Sequence, residues 1–210
     1  MTLRVALFDY GAGNLHSLGK SLEAAGARVR VTSAWDEALS LDALVLPGVG
    51  AFGQAASALP DDVGPLRATL QRGLPCLGIC LGMQLLFAAS EEAVGDGIGL
   101  IDGVVRLLQA PIVPQMGWND VRTSDDPIFE GVGGLVAYYA NSYVCHSVRR
   151  AAEIAWSEYG GRRFAAAVRE ANSWGMQFHP EKSSAAGGRI IANFVGLATT
   201  IAGDISKAER

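Results

Sequence analysis

The apolar positions of this chain follow two periods, and the first half switches between them regularly. Residues 3–8 (LRVALF), 28–32 (RVRVT), 42–46 (DALVL) and 75–79 (PCLGI) are short, β-rich runs of strand type. Between the first two, Leu15, Leu18, Leu22 and Ala25 recur at helical spacing and close on Gly26, the position just past a helix end that glycine favours. Residues 62–72 read as a second helix. A third, from Leu81 to about Ala89, follows the strand at 75–79 directly. Near-continuous apolar strands separated by helices predict a mostly parallel sheet with helices on both faces.

The second half changes period. Strand-like runs at 103–108, 118–122, 135–144, 152–157 and 163–169 follow one another with few helices between them, which predicts an antiparallel or mixed extension of the same sheet, and 173–178 reads as another strand. A last helix over 185–202 carries Ile190, Ile191, Phe194, Leu197, Ala198 and Ile201 on one face. Residues 90–103 and 109–116, rich in Gly and Pro, read as mobile loops. No Pro/Ser-rich linker, repeat or low-complexity tract interrupts the pattern, so 1–210 reads as a single α/β domain built on an open sheet.

Composition narrows the function classes. Seventeen basic and 21 acidic residues give a formal net charge of −4. Without a basic cluster, general nucleic-acid binding is not expected. No run approaches the roughly 18 consecutive apolar residues that span a bilayer, and residues 3–8 are too short and too β-like for a signal peptide, so a soluble, cytosolic chain with no membrane partner is expected. Three cysteines, an odd number, argue against a disulfide framework and leave at least one thiol free. Twenty-six glycines are about 12% of the chain, against a usual level of roughly 7%, so many backbone positions turn sharply or approach something closely.

The strongest chemical signal is Gly78-Ile79-Cys80-Leu81-Gly82, after a strand and before a helix. It has the form of a Gly-x-nucleophile-x-Gly elbow with cysteine in the nucleophile position, where small flanking residues let the chain turn and expose the side chain at the carboxyl end of a sheet. The helix that follows would point its N-terminus at the sulfur and favour the thiolate. A thiol of ordinary pKa is only about 3% ionised at pH 7, so such help matters. The competing reading is a buried structural cysteine between two packing glycines. Cys76, inside the strand, reads as a buried inert thiol. Cys145 adjoins His146, but neighbours on a strand point to opposite faces, and no Cys/His spacing in the chain supports a metal site.

A thiol nucleophile needs a base. His16 falls in the first amphipathic helix and reads as a surface or interface residue. His179 ends a strand in Gly175-Met176-Gln177-Phe178-His179-Pro180-Glu181. Pro180 disfavours helix at His179, so the segment is held extended and residues 179 and 181 project to one side, where Glu181 can orient the imidazole. The alternative is a capping Glu beside a surface His. Oxyanion donors would come from the N–H of Leu81 and from the loop Leu46-Pro47-Gly48-Val49-Gly50-Ala51-Phe52-Gly53. That loop lacks the Gly-Lys-Ser/Thr of a phosphate loop, and Gly11-x-Gly13 lacks the rest of a dinucleotide fingerprint, so no cofactor is expected. Gln84 lies one helical turn beyond Cys80 on the same face.

Taken together, DYGAGNLHS (9–17), LPGVGAFG (46–53), PCLGICLGMQLLF (75–87), QMGWN (115–119) and GMQFHPEKS (175–183) resemble the class I (triad) glutamine amidotransferases over essentially the whole chain. The first, second and fourth stretches are similar to those of the family's glutaminase subunits of imidazole glycerol phosphate synthase. The resemblance implies Cys80 as nucleophile, His179 as acid/base and Glu181 as its orienter. It further implies an oxyanion hole from Val49, Gly50 and Leu81, and glutamine contacts from Gly50, Gln84 and the backbone of Asn141-Ser142-Tyr143. Ala140-Asn141-Ser142-Tyr143 departs from the Val-His-Ser-Tyr usual in that family, which leaves the backbone contacts but removes the usual side chain at 141. The implied partner is a TIM-barrel cyclase subunit that receives ammonia away from bulk water, with Asn14, Met116, Trp118 and Asn119 as candidates for the docking face. Glutaminase subunits of pyridoxal phosphate or anthranilate synthesis are the alternatives within the family. A cysteine protease or a redox sensor on a similar sheet is the alternative outside it.

Overall fold

The structure, a computed structural model, describes residues 2–11 and 15–208. The first half contains β1 (Arg4–Phe8), α1 (Leu15–Ala24), β2 (Arg28–Thr32), α2 (Trp35–Leu39), β3 (Ala43–Leu46), α3 (Phe52–Ser57), α4 (Gly64–Gln71), β4 (Cys76–Ile79) and α5 (Leu81–Leu85). The second half contains β5 (Phe87–Ser90), β6 (Ile101–Leu107), β7 (Gln115–Thr123), β8 (Leu135–Asn141), β9 (Tyr143–Ser147), β10 (Glu153–Tyr159), β11 (Arg162–Glu170), β12 (Ser173–Met176) and α6 (Ser184–Ala208).

Nine strands form one sheet in the order β2-β1-β3-β4-β12-β11-β10-β7-β8. The five from β2 to β12 are parallel, and the four beyond are joined antiparallel. Strand alternation distributes the core. Val5 and Leu7 pack with Leu18, Leu22, Ile190 and Phe194 of α1 and α6, whereas Ala6 and Phe8 pack with Phe52, Leu66 and Leu70 of α3 and α4. Helices therefore cover both faces of the parallel half, as the apolar strands predict. By length and composition Ser184–Ile205 would reach across a membrane. In the fold its Ile190, Ile191, Phe194, Val195 and Ala198 are buried against the sheet, as core residues.

Four sequence expectations are corrected. The helix after Cys80 ends at Leu85 rather than near Ala89, because Ile98 donates to the Leu85 carbonyl and Leu100 and Ile101 donate to that of Leu86, capturing acceptors a longer helix would use. The next residues form β5, paired with β6. Residues 90–103 are not a free loop, since Ile98, Leu100 and Ile101 are buried. Of the second expected loop, Gln115 and Met116 already belong to β7. The run 135–144 is two strands broken at Ser142: β8 stays in the large sheet, while β9 joins β5 and β6 in a separate three-stranded sheet. The extension is thus split between two sheets. The short helices α2 and α3 lack enough turns to print a period in the sequence.

The glycines of the elbow are set by close approach. A Cβ on Gly78 would stand 2.5 Å from the Gly82 carbonyl oxygen, and one on Gly82 would fall on the Leu46 carbonyl at the end of β3. The α5 turn is pressed directly onto the sheet. Gly82→Ala is therefore expected to destabilise the fold by about 1–3 kcal/mol through overpacking, read as a lower urea midpoint at unchanged m-value.

Candidate active site

The elbow places Cys80 at φ 47° and ψ −100°, in the left-handed half of the map that side chains rarely occupy. Its N–H donates to the Met176 carbonyl of β12 at 2.6 Å, and its carbonyl accepts from the Gln84 N–H at 3.1 Å. These bonds anchor the nucleophile between β4, β12 and α5. Gln177 Nε2 lies 3.5 Å from Cys80 Sγ.

His179 follows β12 by three residues and is buried. Its main chain is fastened to β8: its N–H donates to the Tyr138 carbonyl at 2.9 Å, and its carbonyl accepts from Ser183 Oγ at 2.6 Å. A short 3-10 turn, Pro180–Lys182, then carries Glu181 back under the ring, so that Glu181 Oε1 meets His179 Nδ1 at 2.8 Å. Burial alone would lower the His179 pKa, but the hydrogen bonds with Cys80 and Glu181 and their charges outweigh it and lift it from 6.5 to about 9. His179 is thus cationic at neutral pH. Since α5 has only five residues, the imidazolium rather than a helix dipole is the main positive charge beside the sulfur.

Cys80 and His179 open on a cleft of about 270 Å³ that is also lined by Gly48, Val49, Gly50, Leu81, Gln84 and Asn141-Ser142-Tyr143. Leu81 opens α5, so its N–H has no partner within the helix and is available to an oxyanion. Gly50 has φ +123°, and Gly48 packs on His179, where a Cβ would come within 3.0 Å of Cε1. The Tyr143 carbonyl accepts from Gln84 Nε2 at 3.4 Å and from Asn141 Nδ2 at 3.0 Å, and the Ser142 carbonyl accepts from the Leu108 N–H at 2.8 Å. The cleft therefore gathers Cys80, His179 and the expected oxyanion and glutamine-binding residues, with Glu181 reaching it only through His179.

Two lining residues escaped the sequence reading. Glu92 presents a carboxylate to the cleft and accepts from the Phe52 N–H at 3.3 Å, tying the oxyanion loop to the β5–β6 connection. Lys182 lies at the rim, with Nζ 5.7 Å from the Tyr138 ring centroid. Lys182 sits beside the His-Pro-Glu motif and was within reach of that motif, whereas Glu92 sits in a stretch without one.

The expected docking residues divide. Met116 and Trp118 project from β7 onto one exposed face, with 63% and 55% of their surface free, and Trp118 meets Tyr138 of β8 edge-on at 6.0 Å. Asn119 has the opposite parity and turns to the other face, where its Nδ2 donates to the Glu158 carbonyl at 2.9 Å. Asn14 lies outside the described residues. Cys76 and Cys145 are buried, with pKa values pushed up by burial, and Cys145 further by Cys80. His16 is exposed on α1. Among the described residues no group of His, Cys, Asp and Glu could hold a metal ion.

An elbow cysteine, a buried His-Glu pair and an amino-acid-sized cleft at the carboxyl ends of β3, β4 and β12 together make a site suited to acyl transfer through a cysteine nucleophile. Residues 6–197 match the family model "Glutamine amidotransferase class-I", and the chain belongs to that family. Within it, the chain is 44% identical over 206 residues to "Imidazole glycerol phosphate synthase subunit HisH" of Methanosarcina mazei, with 92% of this chain and 98% of that protein covered. It is also 44% identical over 195 residues to the protein of the same name in Thermus thermophilus, covering 91% and 96%. Among solved structures, PurLQS from Thermotoga maritima superposes with a TM-score of 0.75 at 19% identity, covering 94% of this chain and 99% of that one, a likeness of fold.

The raised His179 pKa makes stability pH-dependent. A group held at about 9 in the fold and near 6.5 when unfolded contributes stability that is complete below about pH 6.5 and lost as pH rises through about 9. Glu181→Gln removes one cause of the shift. The wild-type advantage over this variant is expected to be largest at or below pH 6.5 and to shrink toward pH 9, measured by urea denaturation across that range. The imidazole resonances of His179 should titrate at a lower pH in the variant.

Proposed function

We propose that this chain is the glutaminase subunit of an imidazole glycerol phosphate synthase, hydrolysing glutamine and delivering ammonia to a TIM-barrel cyclase subunit in histidine biosynthesis. The observation that carries the chemistry is the convergence of Cys80, His179 and Glu181 at one end of the sheet. The relatives' shared name supports the choice of acceptor over pyridoxal phosphate or anthranilate synthesis.

The reaction follows from the geometry. Cys80 Sγ attacks the side-chain amide carbon of glutamine, and the carbonyl oxygen gains negative charge facing the Leu81 N–H and the Val49–Gly50 loop. His179, as imidazolium, gives its proton to the departing nitrogen, and the C–N bond breaks to leave a glutamyl thioester and ammonia. The now neutral His179, still oriented by Glu181, takes a proton from water. The hydroxide oxygen displaces the sulfur and glutamate leaves. Gln84 and the Asn141–Tyr143 backbone grip the substrate, and the Glu92 carboxylate suits its α-ammonium group.

Ammonia released into water is mostly protonated and no longer nucleophilic, so delivery requires a docked partner. The apolar face of Met116, Trp118 and Val136, with Tyr138 between, is the surface that fits it. Tyr138 also accepts the His179 N–H, so pressure on this face is felt one residue from the acid/base group. That connection supports a glutaminase that depends on its partner.

With the cyclase subunit present, Cys80→Ala is expected to reduce glutamine-dependent turnover by roughly a thousandfold or more while ammonia-dependent turnover persists. Retained glutamine use would rule the assignment out. Trp118→Ala should weaken the complex by about tenfold or more in titration calorimetry, without altering the unfolding midpoint of the free subunit.

A further inference from the structure

Gln115 opens β7 and stands directly across the antiparallel ladder from Asn141, the last residue of β8. Both side chains take the inward parity of the pair, opposite to Met116 and Trp118, and both are almost fully buried, at 2% and 5% exposure. Gln115 Nε2 and Oε1 and Asn141 Oδ1 are buried with no hydrogen-bond partner. Buried polar atoms of native proteins are nearly always paired, so three unpaired atoms on two facing carboxamides call for an explanation. Cross-strand residues on one face have Cβ atoms roughly 4.5–5.5 Å apart, within range of a glutamine amide that rotates toward its neighbour.

Asn141 is also half of the substrate clamp. Its Nδ2 closes the turn at Ser142 by donating to the Tyr143 carbonyl at 3.0 Å, the same oxygen that Gln84 Nε2 reaches at 3.4 Å. This turn is where the chain leaves the large sheet for the small one, and its residues line the cleft while Gln115 does not. The Asn141 nitrogen is committed to the clamp and its oxygen is left over, on the residue directly across the ladder from the uncommitted Gln115 amide.

We infer that Gln115 is a positioning residue for glutamine binding: its carboxamide donates to Asn141 Oδ1 and holds the Asn141 side chain on the Tyr143 carbonyl, so that the clamp is formed before substrate arrives. Gln115 touches neither substrate nor the reacting atoms. Its loss acts on binding, while the triad continues to turn over bound glutamine. The inference rests on the glutaminase reading for its kinetic arm, and has a structural arm that does not.

Gln115→Leu keeps the volume and removes the donor. In the complex with the cyclase subunit it is expected to raise KM for glutamine about five- to tenfold with kcat changed less than about twofold. In Gln115→Glu the buried carboxyl donates only when protonated, so KM should fall back toward the wild-type value as pH is lowered, a step the wild type lacks. In the Asn141→Ala background Gln115→Leu should add little. In the isolated chain, side-chain amide exchange at Asn141 Nδ2 should be slow and become faster in Gln115→Leu, whatever reaction the chain performs. Unchanged KM, strictly additive effects in the double variant or unchanged Asn141 exchange would overturn the role of Gln115. Absence of glutamine hydrolysis in the wild-type complex would instead overturn the assigned reaction, with the exchange measurement still deciding the Gln115–Asn141 contact.

Discussion

The site depends on one unfavourable backbone conformation. A non-glycine residue at φ 47° and ψ −100° costs on the order of 1–3 kcal/mol and persists only where its surroundings over-determine it. Here the Cys80 N–H is taken by Met176, its carbonyl by the Gln84 amide, and the turn is wedged against Leu46 by glycines that admit no Cβ. Strands β3, β4 and β12 and helix α5 are all required to hold this residue. The chain that supplies Met176 continues for three residues to His179, so the nucleophile and its base are positioned by the same strand.

Electrostatics complete what the backbone begins. Burying an imidazole favours its neutral form, yet the Cys80 and Glu181 contacts reverse that preference and keep the ring charged at neutral pH. The sequence suggested a helix N-terminus as the source of positive potential. With α5 so short, that contribution is small and the paired histidine carries most of it. The positive charge beside the sulfur is therefore a property of the pairing, carried by a ring whose backbone is held by Tyr138 and Ser183.

Much of this was legible from local pattern. Strands buried on both faces print continuous apolar runs, so the parallel strands of the first half and the longer helices α1, α4 and α6 could be read directly. The elbow and the His-Pro-Glu segment each act within a few residues, and their spacing carries their geometry. What escaped depends on distant partners. The end of α5 is decided by donors from Ile98 to Ile101, and Glu92 reaches the cleft only because β5 pairs with β6. The break at Ser142 reflects membership of two sheets, which no single-strand pattern contains. The parity of Asn119 was available in the sequence, since alternation already separates it from Met116 and Trp118.

The β7–β8 ribbon has a further consequence for how this chain can vary. One side carries the exposed apolar face of Met116 and Trp118 and the other carries Gln115 and Asn141 behind the cleft, with a single layer of peptide between them. A one-residue slip in either strand would exchange the two sides, sending Trp118 into the core and a buried amide to the surface. Single-residue insertions and deletions in these two strands therefore carry a heavy cost, and changes of length have more room in the connections on either side, such as the exposed 111–114 segment.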